Sequence, residues 1–393
     1  MKATMNVSQN SGVLPLRAKS NAWRSGVAIL MSLAALLVCG IHEAVAQEGS
    51  PAGQSPSAAA ETWTFVSFPD FPNFDVPNPW PEWDPAVDWF LNQVKAEKPA
   101  FVLIAGDLVN GHWWDGPKCI EQMSALYYPG WIRRMREHGL KYYVAVGDHE
   151  LGDDPWPPEK VALTPHFERV FARHLAMPDN GPPSKKSLAY YIVHRNTLLV
   201  TVETFEVQDG QMHVNVAGEQ LAWFRDVLKK HKGVDHIIVQ GHVPVFGPAK
   251  RRSSSGLMLE DGRTNEFWTL MKEAGVDLYL CGEFHAVTAR EADGIWQIVH
   301  GSSWGREVVN AQDYLVCKVS PDSLRLEMKS FPMEAKGDYM WNLHKDHGPR
   351  EIVEIPEKAR EEGPRTIGTV VIQKTKSGKQ FLNRTGVFEE RPE

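Results

Sequence analysis

Thiols are scarce in this chain: four cysteines in 393 residues, Cys39, Cys119, Cys281 and Cys317. Spaced so widely, they build neither a disulfide framework nor a thiolate metal cluster, although one bridge stays open. Positive charge is also short. Lys and Arg number 42 against 49 Asp and Glu, a formal net charge of -7, and an acidic surface repels polyanions, which excludes a general nucleic-acid binder. Long apolar runs are missing as well. The longest, Val27–Val38, has about twelve residues where a bilayer span needs about twenty. No internal repeat is present. What remains, 42% hydrophobic and 23% charged residues, is the content of an ordinary globular protein with a large core.

The apolar run has a different meaning at its position. Lys2, Arg17, Lys19 and Arg24 precede it without an acid among the first 24 residues, and "EAVAQ" follows with Ala44 and Ala46 in the small-residue positions. This is the pattern of a secretory signal peptide over 1–46, cleaved near Ala46, and it predicts an exported protein, periplasmic or secreted, with no transmembrane segment in the mature chain. A lipid anchor at Cys39 is disfavoured by the bulky Val38 before it. Residues 47–60, "QEGSPAGQSPSAAA", read as a flexible leader.

From Glu61 onward, β-rich runs at "TWTFVSF", "FVLIA", "YYVAV", "HIIVQ" and "DLYLC" alternate with helix-spaced segments such as "PAVDWFLNQVKAEK" and "GEQLAWFRDVLKKH". Further strands, "LAYYIVH", "LLVTVE", "IWQIVH" and "YLVCKV", have fewer helices between them. The pattern predicts an α/β fold in which a second sheet packs on the first, over 61–333. Residues 334–393 read as a C-terminal extension with a hairpin turning at Lys376-Ser377-Gly378.

Five predicted strand ends carry residues able to bind metal or move a proton. In chain order they are Asp70 in "SFPDFPNFD", Asp107 in "LIAGDLV", Asp148 and His149 in "VAVGDHE", His242 in "IVQGHVP", and Glu283 with His285 in "YLCGEFH". Each alone is an ordinary turn. Strand ends of an α/β sheet open on one crevice, however, so separated segments can build one site. Carboxylates and imidazoles without thiolates suit Mn²⁺, Fe, Mg²⁺ or Zn²⁺. Two such ions about 3.5–4 Å apart activate water and neutralise a phosphoryl group.

The five segments, in this order, resemble the calcineurin-like metallophosphoesterase superfamily, whose signature runs D-x-H, GD, G-N-H-[ED], GH, G-H-x-H. The resemblance covers about Trp63 to His300. It implies a two-sheet β-sandwich flanked by helices, and ligands for two divalent ions are implied with it: Asp70 and His285 on one, Asp148, His242 and Glu283 on the other, Asp107 bridging. His149 is then the uncoordinated catalytic histidine beside the scissile phosphate, with Glu150 orienting it, while Asp153 and Asp154 belong to a turn.

Three departures qualify the likeness. Pro72 stands where D-x-H has its histidine, so that a ligand is lost unless Asn73 or Asp75 replaces it. Asp148 and Glu283 replace a neutral Asn and His, which makes an oxygen-rich site suited to Mn²⁺, Mg²⁺ or Ca²⁺. Lys250, Arg251 and Arg252 are either a solvated loop or an anion clamp. Trp80, Trp83, Trp113, Trp114 and Trp156 follow the first three motifs, as packing or as crevice wall, and His112 lies among them with little weight of its own. The expected function is metal-dependent hydrolysis of a phosphomonoester or phosphodiester, on a small-molecule or polymer substrate, by a metal-activated water. The alternative is a degenerate member serving as an extracellular binding or scaffolding module.

Overall fold

In the helix Trp83–Ala96 the residues Ala86, Val87, Phe90, Leu91 and Val94 recur at helical spacing and are all buried. Each large side chain of such a stripe contributes about 1.5–3 kcal/mol on burial. The β-branched runs become strands for the complementary reason, since they fit a pleated surface covered on both faces. The computed structural model describes residues 62–70, 83–109, 111–247, 254–301, 311–337 and 351–389. The expectations for 1–60, for Pro72, Asn73, Asp75 and Trp80, and for Lys250, Arg251 and Arg252 lie outside the described residues.

Two mixed sheets share one apolar core and are flanked by helices, the α/β sandwich expected. The first has seven strands in the spatial order Gly378–Gly386, Arg365–Thr375, Ser323–Pro332, Ala311–Val319, Trp63–Ser67, Phe101–Ile104, Tyr142–Val144. The last three run parallel, and Trp63–Ser67 pairs antiparallel with Ala311–Val319. The second has six: Thr288–Ala292, Ile295–Val299, Leu278–Cys281, His236–Gln240, Thr197–Thr201, Tyr190–His194, of which the middle four are parallel. Gln240 Nε2 and the Tyr190 hydroxyl, from the second sheet, donate to the carbonyls of Tyr143 and Val144 in the first. The parallel strands of both sheets therefore end beside one another.

The hairpin 365–386 is the outer pair of the first sheet, hydrogen-bonded to Ser323–Pro332. Two of its lysines reach across to the second sheet: Lys374 Nζ lies 2.7 Å and Lys379 Nζ 3.0 Å from the carboxylate of Asp277. Lys379 Nζ also donates to the carbonyls of Gly275, Val276 and Gly294. Asp277 is fully buried and accepts in addition from Ile237 N at 3.0 Å. Among the described residues no helix is long and apolar enough to cross a membrane.

Candidate metal centre

Asp70, Asp107 and Asp148 follow the three parallel strands of the first sheet, and His242, Glu283 and His285 follow two parallel strands of the second. All six are buried. Asp70, Asp107 and His285 present donor atoms within 4.8 Å of one another, and so do Asp148, His242 and Glu283. Asp107 lies between the two sets, its Oδ1 3.5 Å from His242 Nε2. The turns that aim these groups are tight: Asp70, Asp107 and Glu283 hold φ of 56°, 59° and 71°, a left-handed backbone unfavourable to a residue with a Cβ and concentrated at functional sites. At Gly147 any Cβ would stand 2.2 Å from Asp107 Oδ1, so only glycine lets the third motif back onto the second.

His242 carries the clearest chemical information. Its Nδ1 donates to the Ala105 carbonyl at 2.7 Å, which fixes the tautomer and leaves Nε2 facing Asp148 Oδ1 at 2.8 Å and Glu283 Oε2 at 3.7 Å. His242 Nε2, Asp148 Oδ1 and Asp70 Oδ2 are buried without a well-formed hydrogen bond. A neutral imidazole lone pair turned toward carboxylate lone pairs requires a cation between them, and a ligand histidine with its other nitrogen on a carbonyl is the usual support for a metal. The donor set therefore fits divalent ions. Without an ion a proton takes that role: burial disfavours the imidazolium, but Asp107 and Asp148 raise the His242 pKa well above its ordinary value. Burial, reinforced by Glu283 and opposed by His242, pushes the Asp70 carboxyl up to about 7.

Glu283 divides its two oxygens. Oε1 accepts from Ser255 Oγ at 3.0 Å, Gly256 N at 2.7 Å and Leu257 N at 2.8 Å, while Oε2 faces His242. Glu283 thus joins the 255–257 loop to the centre. His149 is buried with its Nε2 4.0 Å from Asp107 Oδ2.

Glu150 corrects an expectation. Its carboxylate holds the second motif: Oε2 accepts from Asp107 N and Gly147 N, both at 2.8 Å, and Oε1 from Leu108 N at 2.8 Å and Val109 N at 3.3 Å. Backbone amides at a strand end need acceptors once buried, and this carboxylate supplies them; its work is to fix Asp107 rather than to orient His149. Two other residues gain importance. His112 Nε2 lies 2.6 Å from Asp153 Oδ2, and the His112 ring stacks on His149 with centroids 5.7 Å apart. Asp153 is thus more than a turn residue. Of the tryptophans, Trp113 is buried against Tyr127 and Tyr128, and Trp156 donates to the Leu151 carbonyl. Trp114 is 40% exposed, with Lys160 Nζ 5.2 Å from its ring centre.

The family model described as calcineurin-like phosphoesterase matches residues 79–287, more than half of the chain. No curated protein matches the sequence. Similar solved structures include a dimetal phosphatase from Danio rerio, 12% identical, covering 68% of this chain and 95% of that one with a TM-score of 0.46. GAP50, the anchor in the inner membrane complex of Plasmodium, is 13% identical over 68% of this chain and 84% of its own, with a TM-score of 0.44. Vps29 of Chaetomium thermophilum is 11% identical over 80% and 100%, with a TM-score of 0.33.

Proposed function

Since the chain belongs to the calcineurin-like phosphoesterase family, we propose that it is a metal-dependent hydrolase of phosphomonoesters or phosphodiesters. The observation that carries this reading is His242 Nε2, buried and facing Asp148, Asp107 and Glu283 while its other nitrogen is fixed on Ala105. Asp70, Asp107 and His285 would hold one divalent ion and Asp148, His242 and Glu283 the other, with Asp107 close enough to serve both. When bound, such ions neutralise the phosphoryl oxygens and make an attacking water acidic.

The chain's own residues then have distinct tasks. Glu150 holds the Asp107 loop rigid, so that the ligand does not swing when the phosphate enters. His149 keeps a proton for the leaving oxygen: the bond from phosphorus to that oxygen breaks as the bond to water oxygen forms, and the alcohol departs neutral. Glu283 ties the 255–257 loop to the same centre. We also propose export, supported by the signal-peptide pattern of 1–46; the amino terminus of protein recovered from the host tests it, and an intact Met1 would defeat it.

The test of the function is metal analysis together with turnover of nitrophenyl phosphate mono- and diesters, with and without added Mn²⁺. About two ions per chain and metal-dependent turnover are expected. A protein that binds metal but turns over neither ester would favour the binding module.

A further inference from the structure

Beside the two oxygen-rich sets stands a third group of different chemistry. His112, His149 and Asp153 present donor atoms all within 4.8 Å of one another. Two loops are pressed together to make it: a Cβ at Gly111 would fall 1.6 Å from the His149 carbonyl oxygen, so a glycine here lets the 111–113 loop lie on the third motif and lay His112 over His149. Asp153 is held from behind, its φ of 66° closing a turn in which its amide donates to the Asp148 carbonyl at 2.8 Å. Lys160 Nζ fastens the same turn through the carbonyls of Gly152 and Asp153 at 3.0 and 2.7 Å. The His112 and Asp153 side chains remain 19% and 23% exposed, which gives an ion a path from solvent.

We infer that His112, His149 and Asp153 form a third, accessory site for a transition-metal dication of the zinc type, and that its occupation inhibits the enzyme by engaging His149. Three donors about 2.0–2.1 Å from one ion stand about 3.3 Å apart, a spacing these side chains reach by small rotations. The ordering of the sites follows from donor type. Asp70, Asp107 and His285, like Asp148, His242 and Glu283, offer two carboxylates and one imidazole. The third site offers two imidazoles and one carboxylate, and nitrogen-rich sets favour zinc over manganese or magnesium. An ion held there engages the imidazole that the proposed reaction needs as proton donor.

The experiment loads the full chain with Mn²⁺, removes the excess, and adds Zn²⁺ in steps while bound zinc, bound manganese and nitrophenyl phosphate turnover are measured. One zinc per chain should bind without releasing manganese, and turnover should fall at least about 10-fold. His112→Ala, and separately the isosteric Asp153→Asn, should keep their manganese but weaken zinc binding by at least about 100-fold, the upper figure for loss of a mere supporting partner, and should escape zinc inhibition. Zinc that enters only as manganese leaves, or that binds both variants as tightly as the original, overturns the proposal. The inhibition readout rests on the function proposed above, whereas the zinc count does not. Asp107→Asn separates the two: it should lose manganese yet retain the zinc equivalent, and loss of both in a folded variant counts against a separate site.

Discussion

Replacing Glu150 by Gln changes one atom and should cost both stability and activity. The two carboxylate oxygens accept four amide protons, two each, from Asp107 and Gly147 and from Leu108 and Val109. A glutamine has one carbonyl oxygen, so in either orientation its NH₂ group confronts two buried donors. A buried donor left unsatisfied costs about 1–3 kcal/mol, and local relaxation recovers part, so a loss of about 3 kcal/mol is expected. With an unfolding entropy near 2.1 cal/mol/K per residue over roughly 340 residues, this corresponds to a Tm lower by about 4 °C. The activity loss should be larger in proportion, about 100-fold in kcat, because the released amides belong to the turn that aims Asp107 and misplacement by about 1 Å has that effect. Calorimetry and nitrophenyl phosphate kinetics on the manganese-loaded variant measure both. A Tm within 1 °C of the original together with undiminished kcat would refute the assignment of Glu150 as the support of the second motif.

Other perturbations address different links. His149→Ala should retain its metal and lose about 10²–10⁴ in kcat, with a greater loss on an alkyl phosphate than on a nitrophenyl phosphate, whose leaving group needs no proton; equal losses on both would remove the proton-donor role. Glu283→Ala should free Ser255, Gly256 and Leu257 as well as weaken metal binding, so hydrogen exchange of the Gly256 and Leu257 amides should accelerate, and unchanged protection would disprove the latch. Asp277→Asn leaves Lys374 and Lys379 without their buried counter-charge and should destabilise the fold by about 3–5 kcal/mol in urea at neutral pH. Burial raises the Asp277 pKa, but His236, Lys379 and Lys374 outweigh it and hold it at about 2 against an ordinary 3.8. Because the folded value is the lower one, the unfolded chain binds the proton first on acidification. About 2 kcal/mol of stability is thus present above pH 4 and lost as the pH falls from 4 through 2. The variant should show a flatter acid limb, and an unaltered limb would mean that Asp277 is not the titrating group.

The frame and the centre were legible in the sequence to different degrees. β-branched runs ending in Gly-Asp, Gly-His or Gly-Glu marked both the strands and the residues at their ends, because parallel strands covered on two faces must be apolar throughout and their first polar residues lie outside. The helix Pro117–Glu137 was harder to read: Pro129 and Gly130 interrupt it, although Ile120, Met123, Tyr127, Tyr128, Trp131 and Met135 supply a buried stripe. The role of Glu150 was not legible, since three of its four partners are amides more than forty positions away that look like any others. His112 and Asp153 were discounted for a similar reason, as their proximity arises from a contact between two loops at Gly111. The terminal hairpin announced its own turn, but not its place as the outer pair of the first sheet, which rests on pairing with Ser323–Pro332, nor the reach of its lysines to Asp277 about a hundred residues earlier.

The strand Trp63–Ser67 sits inside the first sheet with one flank on Phe101–Ile104 and the other on Ala311–Val319. The partner of the first flank lies about 40 residues on and that of the second roughly 250, so a chain that folds as it is made, at about 5–20 residues per second, waits about 12–50 s for the second. Throughout that interval the nascent chain exposes an apolar, hydrogen-bond-hungry border to its neighbours, the kind of edge that recruits stray strands. Yield of soluble protein should therefore depend on chaperone supply and translation speed more than on the stability of the finished molecule.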